Sequence, residues 1–89
     1  MSLTLWVRPE PYKGNDTPEG PTIYDASLNR HKAYRVLGIH DNGHMDSEAY
    51  FSLVNDSGEV WFVSNRYFRV VQVTDEDGVP VHTSFVLDD

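Results

Sequence analysis

The chain has no cysteine, so neither a disulfide nor a thiolate metal site is available and stability rests on packing alone. That usage fits a reducing, cytoplasmic setting. No apolar run approaches the roughly 18 residues of a membrane span, and MSLTLWVRPEP lacks the basic start and long apolar centre of a signal peptide. A soluble protein with no membrane partner is therefore expected. Cations are scarce: seven Lys and Arg face fourteen Asp and Glu, for a net charge of −7. Direct nucleic-acid binding is disfavoured, because a phosphate backbone needs clustered cations. A basic partner segment suits the charge. The bias is uneven, with Arg30, His31, Lys32 and Arg35 close together and the acids Asp75, Glu76, Asp77, Asp88 and Asp89 in the last fifteen residues.

What the chain does have suffices for one small β domain. Its 89 residues do not support a second core, and residues 1–89 are read as a single unit. Eleven aromatic residues, most of them in the second half beside β-branched neighbours, provide the apolar surface.

Residues 3–7 (LTLWV) form a short β-prone run ending before Pro9. RPEPYKGNDTPEGP, residues 8–21, then holds four of the five prolines and predicts a long irregular loop. Asp25-Ala-Ser-Leu28-Asn29 fits one helical turn capped by Asp25, or a tight turn. KAYRVLGI alternates Tyr34, Val36 and Gly38 against Arg35, Leu37 and Ile39, which predicts a strand with apolar character on both faces. AYFSLV (49–54) and VWFVS (60–64) continue the pattern, joined by Asn55-Asp56-Ser57-Gly58-Glu59, where Gly58 can take the positive φ that a tight hairpin requires. Asn65 to Phe68 reads as a single turn before the valine-rich strand RVVQV. Thr74 to Gly78 is a strong turn signal, and VPVHTSFVL (79–87) can return as an edge strand. The inventory is all-β: five to six short strands, a long Pro-rich N-terminal loop and an extra C-terminal strand.

GIHDNGHMDSEAY (38–50) is the most chemically crowded stretch. His40, Asp41, His44, Asp46 and Glu48 could reach one point on a loop. The spacing does not make a metal site: histidines four apart share a face only in a helix, and Asn42-Gly43 disfavours one. The stretch also fails the calcium-loop pattern. It is read as a connection between strands, with no metal or other cofactor expected. For catalysis the candidates are thin. Ser52 and Ser64 lie in strand patterns without a nucleophile elbow, and the six glycines are dispersed at turns rather than gathered in a phosphate-cradling loop, so no enzyme is expected.

The order of parts resembles an SH3-like small barrel over about residues 3–73, with 74–89 as a C-terminal hairpin extension. GEVWFVSNRYFRVV is similar to the end of SH3 domains, where a Gly-containing turn leads to a strand, a Ser-Asn-Tyr turn and a last valine-rich strand. Short SH3-like proteins of bacteria and their phages share the Leu28, Lys32, Tyr34, Val36 spacing and the Asp56, Gly58 turn. The chain departs from peptide-binding SH3 domains in three places: it has no Ala-Leu-Tyr-Asp-Tyr segment, has Tyr50 where a tryptophan opens the third strand, and lacks the proline before Ser64.

The resemblance implies a groove binding a peptide or partner protein. Tyr50 and Tyr67 carry over by position, Tyr12 and Tyr24 would join them from the long loop, and Asp46 and Glu48 would rim the groove with acid. Tyr67 reads equally as a packing residue. Trp61 is either a partner-facing anchor or the cover of a small core. Two other readings stand beside this one: an acidic mimic of nucleic acid that fills a basic groove, and a subunit that oligomerises through edge strand 79–87 with Phe85 and Leu87 in the interface.

Overall fold

The computed structural model describes residues 2–41 and 49–81. Its regular elements are β1 (Thr4–Pro9), β2 (Tyr34–Arg35), β3 (Gly38–Asp41), β4 (Ala49–Val54), β5 (Val60–Ser64) and β6 (Phe68–Thr74), with a 3-10 turn, Asn65–Tyr67, between the last two. They form two small antiparallel sheets, ordered β2-β1-β6 and β3-β4-β5. No helix among the described residues is long and apolar enough to cross a membrane.

The chain crosses between the sheets at two corners. Tyr34 and Arg35 pair with β1, and the Val36 N–H donates to the Leu5 carbonyl at 2.9 Å. One residue later the Leu37 N–H donates to the Ser52 carbonyl at 2.8 Å, and β3 then pairs with β4. The expected single strand over 32–39 is thus divided, because its two halves satisfy their backbone groups in different sheets. Its alternation survives the division: Tyr34 is buried while Leu37 and Ile39 are exposed. At the second corner the fully buried Ser64 caps the 3-10 turn, its hydroxyl accepting from the Arg66 N–H.

Both hairpin turns are built alike. The Gly58 N–H donates to the Asn55 carbonyl (3.0 Å) and the Asn55 N–H to the Glu59 carbonyl (2.9 Å); Gly78, Asp75 and Val79 repeat those bonds at 3.0 and 2.9 Å. Gly58 and Gly78 both have φ 81°, the left-handed geometry expected for Gly58. A side-chain oxygen at the first position of each turn accepts two more backbone N–H groups, from Ser57 and Glu59 onto Asn55 and from Asp77 and Val79 onto Asp75. After the second turn the chain doubles back on β6, with Thr74 bridged to Pro80 and the Val81 N–H on the Val73 carbonyl. The rest of the expected edge strand, Phe85 and Leu87 included, lies outside the described residues.

The long loop between β1 and β2 is irregular, as its prolines predict, yet it supplies Ile23, Ala26 and Leu28 to the core. One doubly capped turn places them. The expected cap, Asp25, is corrected to Thr22. The Thr22 hydroxyl accepts from the N–H groups of Tyr24 and Asp25, and the Asp25 carboxylate accepts from the Thr22 N–H at 2.9 Å, a reciprocal capping box. At the other end Ser27 has φ 56°, its N–H donates to the Tyr24 carbonyl, and the Leu28 N–H donates to the Ile23 carbonyl. Those two bonds make a Schellman cap, whose apolar pair is Ile23 and Leu28. Val7, Tyr34, Phe51, Leu53, Val63 and Tyr67 complete the core. Burying each large aliphatic side chain contributes about 1.5–3 kcal/mol.

Candidate functional site

Tyr12 and Tyr50 are the half-buried rings that tie the long loop to the sheet ends. The chain after β1 is held by the Glu10 N–H on the Tyr67 carbonyl at 2.8 Å. Two residues on, the Tyr12 ring meets the buried Tyr67 ring edge-on, with centroids 6.2 Å apart and planes at 67°. The guanidinium of Arg66 lies over the Tyr12 ring, 4.8 Å from its centroid, and also donates to the Tyr12 hydroxyl. Gly14 accommodates that ring, since a Cβ there would overlap the Tyr12 hydroxyl.

Tyr50 opens β4 and reaches the same loop further on. Its hydroxyl donates to the Glu19 carbonyl at 3.2 Å. Gly20, with φ 89°, lies beside the Tyr50 ring, and that left-handed backbone favours glycine. Ala49 donates its N–H to the Asn65 side chain at 3.4 Å, so the start of β4 also touches the 3-10 turn. The arrangement is two tyrosine rings on a loop scaffold, with the exposed residues Asp16 and Glu19 on the same loop.

The other expected site residues are distributed differently. Tyr67 is 4 % exposed, so it supports Tyr12 from the core and presents little surface of its own. Tyr24 is 64 % exposed on the capped turn, with no ring contact among the described residues. Trp61 is half-buried and packs against the core, and its Nε1–H donates to the Glu59 carboxylate at 3.1 Å. The outward side chains of β5 are instead Val60 and Phe62. Of its two readings, this placement favours cover of the core, since Val60 and Phe62 occupy the outer face of β5. Asp46 and Glu48 lie outside the described residues. Sequence reading did not single out Glu19, Gly20 or Arg66, whose roles depend on contacts 31 and 54 residues away along the chain.

His40 belongs to β3. Its Nε2 is 3.1 Å from the Ser52 hydroxyl, and its ring meets Phe62 edge-on at 5.0 Å. These two side chains lie beside Ser52, which is buried although it is paired with the outward-facing Phe62.

Electrostatic shifts concentrate at the first hairpin. The Lys32 ammonium is 2.5 Å from the Asp56 carboxylate, which lowers the Asp56 pKa and raises that of Lys32. Tyr34 donates to Asp56 at 3.2 Å and accepts from the Asn29 N–H at 2.9 Å; burial is the main cause of its raised pKa. Hydrogen bonds from Asn55 and then Trp61 lower the pKa of Glu59. Both carboxylates are held ionised by the contacts that fasten the turn.

No family model, curated protein or solved structure matches this chain.

Proposed function

We propose that the protein is a non-enzymatic interaction module of SH3-like build, which binds an extended basic peptide segment along the face carrying Tyr12 and Tyr50. The observation behind this reading is the pair of tyrosine anchors joining the long loop to β4 and to the 3-10 turn. The order of elements supports the SH3-like build, with one run shared between the sheets and a 3-10 turn interrupting another. Preorganised aromatic rings contribute contact area at little entropic cost, and Asp16, Glu19 and the net charge of −7 suit a cationic ligand. Arg66 already stacks on Tyr12, so that ring accepts a guanidinium, and a ligand arginine would compete with it.

Fluorescence polarisation with labelled decapeptides tests the reading, using one Arg-bearing proline-rich peptide and one basic peptide without proline. Saturable binding should weaken at least tenfold in Tyr50→Ala and persist in Tyr24→Ala, with folding of each variant checked by circular dichroism. Arg66→Ala should tighten binding by freeing the Tyr12 ring. Equal affinity in Tyr50→Ala and the parent chain would remove the tyrosine face from consideration.

A further inference from the structure

In the register of β1 and β6, Arg8 stands directly opposite Arg69. Like charges directly opposite one another repel and destabilise the pair. Here neither has an ion-pair partner among the described residues. The turn after the capped segment adds to the charge instead of relieving it. The Asn29 side chain accepts from the His31 N–H at 2.8 Å, and the Asn29 carbonyl accepts from the Lys32 N–H at 3.2 Å. That turn brings Arg30 and His31 to the strand pair, while Lys32 goes to Asp56. The result is an open pocket of about 200 Å³ lined by Arg8, Pro9, Glu10, Arg30, His31 and Arg69.

Three of the chain's seven cationic side chains thus share one pocket, although acids outnumber bases two to one. Arg30 has no ion-pair partner among the described residues either. The three guanidinium charges against the single Glu10 carboxylate leave an excess of two positive charges among the arginine and glutamate side chains of the lining. We propose that this pocket binds a dianionic tetrahedral oxyanion, either free phosphate or the phosphoryl group of a small monoester. A phosphoryl group carries about −1.5 to −2 at pH 7, which matches that excess. Its several oxygens can each take an arginine fork, whereas a planar carboxylate suits one or two. The volume equals roughly seven waters, enough for a phosphoryl group and a short attached chain. The site shares no residue with the tyrosine face, so the two proposals fail independently.

Isothermal titration of the full chain at constant ionic strength, with inorganic phosphate and separately with O-phosphoserine, tests the proposal. One-to-one saturable binding is expected with at least one of them. Arg69→Gln should weaken it at least tenfold, and Arg30→Gln, on the turn rather than in the sheet, should do the same if the strand variant folds poorly. Lys13→Gln, outside the pocket, should stay within twofold. Tighter binding of the monoester would identify an ester ligand, and equal binding would identify phosphate itself. The proposal is overturned by three results: no saturable heat with either probe, equal weakening in Lys13→Gln, or tighter binding of a short oligonucleotide through the same arginines.

Discussion

The side-chain amide of Asn55 donates to the Ala26 carbonyl at 2.9 Å, a buried bond between residues 29 apart that fastens the first hairpin to the capped turn of the long loop. The same amide reaches Glu59, and its oxygen accepts two backbone N–H groups of its own turn. Asp75 makes the equivalent bonds within its turn, to Asp77 and Val79. The two turns therefore separate the local from the long-range contribution.

Asn55→Ala should cost about 2–3 kcal/mol, because it leaves the buried Ala26 carbonyl without its donor as well as opening the turn. Asp75→Ala, which loses turn bonds alone, should cost about 1 kcal/mol. For a domain of this size each kcal/mol lowers Tm by about 4–8 °C, so calorimetry resolves the two. Equal losses at both positions would mean the bond to Ala26 contributes nothing.

Ser27 adopts φ 56° at the end of the capped turn, where glycine is the residue of lowest strain. Ser27→Gly should therefore raise stability by up to about 1 kcal/mol. Thr22→Ala at the other end should lower it by about 0.5–2 kcal/mol, through loss of the capping box. Urea titration of both variants checks the opposite signs.

Acid should loosen the first hairpin. Asp56 and Glu59 both have folded pKa values below their ordinary ones, so their stabilisation is complete above roughly pH 5 and is lost as pH falls through the lower folded values. Lys32 and Tyr34 are raised, so their contribution is present below about pH 10 and is lost as pH climbs through the folded values. Lys32→Gln should flatten the acid limb, since the Lys32 hydrogen bond is the largest cause of the Asp56 shift. The ion pair is about half-exposed, with side-chain exposures of 54 % and 45 %, so added salt should flatten both limbs as well. Tm measured from pH 2 to 11 in the two chains gives the comparison.

Thr74 holds the indole of Trp6, whose Nε1–H donates to its hydroxyl at 3.0 Å across 68 residues. Thr74→Val keeps the shape and removes the acceptor, so a loss of about 1 kcal/mol is expected. A changed Trp6 emission in the folded state, with Trp61 replaced by Phe in both chains, would report the same contact.

Local chemistry made several features legible. Gly58 and Gly78 follow turn-forming residues, and both take the positive φ that their hairpins need. The prolines of residues 8–21 disfavour regular structure, and none is observed between β1 and the capped turn, although β1 itself runs on through Arg8 and Pro9 by pairing with β6. The misplaced cap has an equally local cause. Asp25 is a good capping residue by type, but Thr22 three residues earlier makes the reciprocal pair, and position decides which of the two begins the turn. Of the candidate site, Tyr12 and Tyr50 stand out in the sequence by type and place, whereas their contact partners Glu19 and Arg66 do not, because no local pattern connects residues so far apart.

Periodicity and turn chemistry determine that this chain forms short antiparallel strands with tight glycine turns, since both depend on a few neighbouring residues. Only the tertiary structure decided which face of each strand is interior. In VWFVS both alternations are apolar, so the pattern cannot choose between Trp61 and Phe62; the core takes Trp61 and Val63 and leaves Val60 and Phe62 outside. Tertiary structure alone also divided residues 34–41 between two sheets and gathered Arg8, Arg30 and Arg69 around one pocket. Strand pairing joins residues 61 positions apart through backbone hydrogen bonds that every amino acid can make, so such neighbours leave no mark in local sequence.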